Sequence, residues 1–161
     1  MAPAGPTASA RMPSNEGSRR RSVAATFVGS PGSIVKPYVA IAALEEKVID
    51  PEKEILSTGS ISVPNPYDPT RKTVFMDWKA HGLVDMRRAI AVSSNVYFYE
   101  VGGGFEGQPG LGIARLNKYF RMFGLGKSVD GGLFDGPAGT VPSPEWKERV
   151  FPGDPWRIGD T

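Results

Sequence analysis

A chain of 161 residues suffices for one modest domain with a real core, or for a piece of a larger one. A net charge of +2 with scattered Lys and Arg gives no footprint for nucleic acid, and the absence of cysteine excludes both a disulfide framework and a thiolate metal site. No apolar run approaches the roughly eighteen residues of a membrane span, residues 1–22 lack the apolar core of a signal peptide, and Gly 20 with Pro 15 predicts many loops.

Residues 1–22 are rich in Pro, Ala, Ser, Gly and Arg and end in Arg19-Arg20-Arg21. They read as a disordered leader or a cloning remnant, since such a composition cannot bury enough surface to order itself. Val23 to Val28 forms a short apolar run before the turn cluster Gly29-Ser30-Pro31-Gly32, and Ser33 then opens a helix. Val35, Val39, Ala42 and Ala43 carry its helical spacing as far as Lys47, with Pro37 tolerable in the first turn, where N–H groups lack intrahelical partners. Asp50-Pro51 marks its end.

From residue 51 to 80, the short extended runs Ile61-Ser62-Val63 and Thr73-Val74-Phe75-Met76 are broken by Pro64, Pro66 and Pro69, which predicts an excursion with little regular structure. Helical spacing resumes at Val84 and runs through Met86, Ala89, Ile90 and Ala91 into Val92-Ser93-Ser94-Asn95. Val96 to Val101 reads as a further helix ended by Gly102-Gly103-Gly104. An amphipathic helix follows, with Ile113, Leu116, Phe120 and Phe123 on one face and Gly124 as its C-terminal cap. After a Gly-rich passage through Asp130-Gly131-Gly132 and Gly136-Pro137, Pro142 to Val150 forms a last short helix, with Ser143 as cap and Pro144 in the first turn.

Two short motifs carry chemistry. In Ser33-Ile34-Val35-Lys36 the serine precedes a lysine by three residues, a spacing that puts both side chains on one helix face with Cβ atoms about 5–6 Å apart. A serine hydroxyl is a poor nucleophile until a base takes its proton, and the Lys36 amine is placed to be that base. It must first be neutral, which from a pKa near 10.4 costs about 4.6 kcal/mol at pH 7 unless burial lowers it. The positive end of the helix dipole at Ser33 favours a developing oxyanion. The second motif, Ser93-Ser94-Asn95, offers a hydroxyl to relay protons and an amide to hold both a lysine and a substrate carbonyl. Taken singly, the first motif is also what a helix cap followed by a surface lysine looks like, and the second what a polar break between helices looks like.

In this order the two motifs match the pattern of penicillin-binding proteins and serine β-lactamases. The chain resembles the transpeptidase domain of class B penicillin-binding proteins, the elongation-type peptidoglycan synthases. Pro31 to Pro37, Ala40 to Glu46, Asp77-Trp78-Lys79 with His81-Gly82, Ala89 to Tyr99, Leu111-Gly112-Ile113, Phe123 to Gly126, Val141 to Lys147 and Gly159-Asp160-Thr161 carry the likeness in family order. It covers residues 23–161. The resemblance implies an α+β fold, with an antiparallel sheet packed against helices and a helical subdomain that supplies most of this chain. It implies that Ser33 is the acylated nucleophile, Lys36 its activating base, and Ser93 and Asn95 the proton relay and substrate contact, with no cofactor. The implied activity is D,D-transpeptidation of peptidoglycan stem peptides at the outer face of the cytoplasmic membrane, with β-lactams as mimics of D-Ala-D-Ala and a cell-wall synthesis complex as partner. Within the superfamily, a β-lactamase or a β-lactam sensor domain shares the first motif. The family's third motif, Lys-[Ser/Thr]-Gly, is absent, and Arg71-Lys72-Thr73-Val74 does not supply it. The chain therefore reads as an internal fragment of a transpeptidase domain, and a catalytically inert helical fragment is the reading from another class.

Elsewhere, His81 has only Asp77 and Asp85 as nearby carboxylates, too few for a zinc set, and no metal is expected. Trp78, Trp146 and Trp156 read as packing or loop anchors, and Gly102 to Gly110 as a surface connection rather than a phosphate loop.

Overall fold

The computed structural model describes residues 31–65, 68–128 and 138–157. The apolar run at residues 23–28, the Gly-rich passage at 130–137 and the terminal Gly159-Asp160-Thr161 lie outside them. Three helices, α1 (Lys36–Glu45), α3 (Asn95–Gly103) and α4 (Gly112–Met122), pack on one another, with the short α2 (Met86–Ala91) against α1 and α3. Ala42 and Ala43 of α1 are fully buried and share one core cluster with Tyr97 and Val101 of α3 and Leu116 of α4, their small side chains allowing the helices to pack closely.

The chain enters α1 through a 3-10 turn, Gly32–Val35, so Ser33 sits in that turn and the α-helix proper starts at Lys36, with Pro37 in its first turn as the sequence predicts. The helix beginning at Ser143 also matches expectation. It runs as α5 (Pro144–Val150), and the Ser143 hydroxyl accepts from the Trp146 N–H at 3.1 Å. Gly124, at φ +87°, ends α4 in the left-handed conformation expected of it.

Residues 51 to 80 overturn the expectation of little regular structure. β1 (Ile55–Ser57) pairs antiparallel with β4 (Gly82–Val84), and β2 (Ser60–Asn65) with β3 (Asp68–Met76), the second pair running from Ser60 opposite Met76 to Pro64 opposite Lys72. Pro64 is tolerated because each strand of a two-stranded ribbon has an outer edge where no N–H is required, and the register shifts just beyond it. Ile61 is buried and Phe75 packs on Tyr99 with ring centroids 5.7 Å apart, so tertiary contact outweighs the proline signal. Val84 belongs to β4 rather than to a helix. Asp85 follows it as the cap of α2, its carboxylate accepting from the Arg88 N–H at 2.7 Å.

Glu100 of α3 borders an open cavity of about 650 Å³ lined also by Lys53, Ile55, Glu106 and Gln108. Burial, reinforced by the Glu106 charge and opposed by Lys53, pushes its carboxyl up to about 7. The unfolded chain releases that proton near the ordinary glutamate value, so the folded state holds an extra proton between the two values. Stability is therefore full below the unfolded value and falls as pH rises to about 7. Allowing for partial exposure, the loss is roughly 1–3 kcal/mol. Glu100→Gln should flatten this decline in thermal unfolding midpoints measured across that pH range, and an unchanged slope would refute the assignment.

Candidate active site

The two motifs, some sixty positions apart in sequence, meet in space. α2 stops in a left-handed turn in which the Ser93 N–H bonds to the Ile90 carbonyl at 3.1 Å and the Ser94 N–H to the Ala89 carbonyl at 2.9 Å. Ser93 takes φ +54° there, where glycine would cost least, and the strain is of order 1 kcal/mol or more. The result is a hydroxyl and a carbonyl aimed at Lys36.

Lys36 is buried, 8 % exposed, at the first position of α1. Its Nζ donates to the Ser93 carbonyl at 2.7 Å, the Ser93 hydroxyl at 3.0 Å and Asn95 Oδ1 at 2.7 Å, one acceptor for each ammonium proton. Burial lowers its pKa below the usual lysine value, opposed by the negative charge of Asp77. Ser33 is exposed, and its Oγ lies 3.0 Å from Ser93 Oγ. The direct Lys36–Ser33 contact expected from helical spacing is absent from these bonds: a 3-10 turn, not an α-turn, separates the two residues, and Ser93 stands between them. Because hydroxyl protons rotate, the chain Ser33 Oγ, Ser93 Oγ, Lys36 Nζ can pass a proton from the serine to a neutral amine.

Asn95 opens α3. Its Oδ1 is held by Lys36 and its Nδ2 donates to the Met76 carbonyl at 3.3 Å, at the end of β3. The Tyr99 hydroxyl reaches the same carbonyl at 3.4 Å. Trp78 is largely exposed but its Nε1 donates to the Val92 carbonyl at 3.1 Å, bracing the turn just before Ser93, which fits the loop-anchor reading. Trp146 packs edge-on against Phe151.

Sequence reasoning missed Asp77 and Ser94. The Asp77 side chain is fully buried and accepts from the Ser94 hydroxyl at 2.9 Å, the Ser57 hydroxyl at 3.3 Å, the Val96 N–H at 3.0 Å and the Trp78 N–H at 2.8 Å. Ser94 is fully buried and caps α3 by accepting from the Tyr97 N–H at 3.3 Å. The Asp-Trp-Lys stretch was visible as part of a family likeness, but nothing local in it signals a buried carboxylate. His81 Nε2 lies 3.8 Å from Asp77 Oδ1, and no group of three potential metal ligands occurs among the described residues. No helix among them is long and apolar enough to cross a membrane.

Ser33, Lys36, Ser93 and Asn95 are thus joined in one hydrogen-bonded cluster at the start of α1 and α3. The chain belongs to the penicillin binding protein transpeptidase domain family, whose match spans residues 7–153. It is 37 % identical over 133 residues to the peptidoglycan D,D-transpeptidase MrdA of Haemophilus influenzae, and 32 % identical over 133 residues to that of Escherichia coli. Each alignment covers 81 % of this chain, which spans only 19 % of either relative. Among solved structures, Pseudomonas aeruginosa PBP2 in complex with WCK 5153 superposes with a TM-score of 0.67 at 32 % identity, covering 80 % of this chain and 27 % of that one. Helicobacter pylori PBP2 in complex with MreC gives a TM-score of 0.63 at 32 % identity, covering 81 % and 22 %. The α+β transpeptidase-like fold expected from the sequence is the fold of these neighbours.

Proposed function

We propose that the whole protein is a peptidoglycan D,D-transpeptidase of the elongation type and that this chain supplies its nucleophile, its base and its proton relay. The observation that carries the reading is the continuous hydrogen-bonded path from Ser33 through Ser93 to a buried lysine. Ser33 Oγ attacks the carbonyl of the penultimate D-alanine as its proton passes through Ser93 to neutral Lys36. The tetrahedral intermediate collapses with loss of D-alanine, whose amine takes the proton back along the same path. An acyl-serine remains, and an amine of a second stem peptide attacks it, giving up a proton that returns through Lys36 and Ser93 to the departing Ser33 Oγ as the cross-link forms. Asn95, held by Lys36 and Met76, is the contact for the substrate amide.

On this reading residues 23–161 are part of the transpeptidase domain, β-lactams acylate the same serine, and the protein works at the outer face of the cytoplasmic membrane within a cell-wall synthesis complex. The test is peptide mass spectrometry after incubation of the whole protein with benzylpenicillin. A persistent penicilloyl adduct on Ser33 is expected. An adduct on another residue, or none on folded protein, would overturn the assignment, and release within seconds would point instead to a β-lactamase.

A further inference from the structure

We infer that Asp77 is a positioning residue for acylation: its buried carboxylate pins Ser94 and the first turn of α3, and so fixes both Ser93 and Asn95, and the field they work in, around Lys36. The inference rests on the transpeptidase reading above and adds to it a residue that touches neither substrate nor nucleophile.

The geometry is specific. Asp77 Oδ2 gathers the Ser94 hydroxyl, the Ser57 hydroxyl and the Val96 N–H, while Oδ1 takes the Trp78 N–H, so one side chain ties β1 and the end of β3 to the start of α3. Ser94 lies between the two motif residues. The bonds from Asp77 to the Ser94 hydroxyl and the Val96 N–H anchor the backbone between and just beyond the two motif residues, next to the left-handed backbone that Ser93 adopts. A carboxylate buried to this degree is a poor choice for stability alone, since its desolvation must be offset bond by bond and an apolar pair would hold the same elements together. Its place beside the site gives its charge and its acceptors a use there.

Both uses are visible. Burial pushes the Asp77 carboxyl up, yet the N–H groups of Val96 and Asn95, the Ser94 hydroxyl and the Trp78 N–H together hold it below the usual carboxylate value, so it stays ionised. Among the described residues, Lys36 feels its charge and His81 Nε2 lies 3.8 Å from its Oδ1. Its negative charge opposes the effect of burial on Lys36, setting how far the amine is driven toward its neutral form. Asp77 thus sets both where the relay stands and at what pH the base is ready.

The discriminating experiment measures the rate of acylation of the whole protein by a fluorescent penicillin as a function of pH. Asp77→Asn should lower the plateau rate by about 10- to 100-fold, as expected for small displacements of a relay. It should also move the acid limb of the profile to lower pH, because Lys36 loses the charge that favours its ammonium form. Ser94→Ala, which removes the pin and keeps the charge, should lower the plateau and leave the limb in place. A residue with only a structural role would reduce the amount of active protein and leave the limb unmoved in both variants, and that result overturns the inference. If Asp77→Asn does not fold, an undiminished plateau in Ser94→Ala overturns it equally. Failure of the transpeptidase reading would show separately, as wild-type protein without an adduct on Ser33.

Discussion

Lys36→Met slows acylation by a β-lactam about 10²- to 10⁴-fold, the range expected on losing a positioned general base, while Ser33→Ala removes the adduct altogether. Methionine keeps most of the lysine stem but supplies no donor, so the Ser93 carbonyl, the Ser93 hydroxyl and Asn95 Oδ1 each lose a bond of 2.7 to 3.0 Å. The relay hydroxyl then has no base behind it. Single-turnover kinetics separate this from lost binding, since the drug concentration giving half-maximal rate should change much less than the maximal rate. The pH dependence has a definite sign. Only the neutral amine accepts the proton, so the wild-type rate rises with pH until Lys36 is deprotonated. Burial, tempered by Asp77, brings that rise below the ordinary lysine range. In Lys36→Met the corresponding limb should vanish. Equal rates in Lys36→Met and wild type, or a limb that survives the substitution, would remove lysine from the mechanism.

How much of this was legible beforehand follows from the physics of each element. Helices α1, α3, α4 and α5 were readable because their signals are local: helical spacing at Val39, Ala42 and Ala43, glycines at the ends of α3 and α4, and Ser143 before Pro144. β2 and β3 were hidden because Pro64 argues against a strand unless the strand is known to be an edge, and that is a property of the sheet rather than of the segment. Val84 fits a helix by spacing and a strand by its pairing with Ile55, and only the fold decides. The two motifs were legible by residue type and order, and the fold brings them together, but not through the contact that spacing suggests. The spacing of Ser33 and Lys36 predicted direct contact, whereas the turn preceding α1 hands the contact to Ser93, whose left-handed backbone no sequence rule assigns to serine. Asp77 was out of reach for a plainer reason: a carboxylate reveals its burial only when its donors, drawn from β1 and α3, are known.

The support beneath the site makes a second large prediction, centred on Tyr97. This residue follows Asn95 by two positions on α3, is fully buried, and its ring meets that of Phe98 with centroids 5.3 Å apart. Tyr97→Ala should cost about 3–5 kcal/mol, the range for removing a large aromatic from a core that cannot collapse around the gap. Because the void opens beneath the first turn of α3, acylation of the folded fraction should slow as well. Tyr97→Phe should instead stabilise the protein. The Tyr97 hydroxyl has no hydrogen-bond partner among the described residues, and burial, aided by the charge of Asp85, pushes its pKa up to about 12. A buried, unpaired hydroxyl forfeits its hydration without return, so deleting it should raise stability by about 1 kcal/mol while leaving the acylation rate as it was. Denaturant unfolding of the two variants, read beside their acylation rates, tests the pair. Were phenylalanine to destabilise the protein, the hydroxyl would have a partner in solution. Were alanine to cost less than about 1 kcal/mol, the packing that holds Asn95 against Lys36 would rest somewhere other than Tyr97.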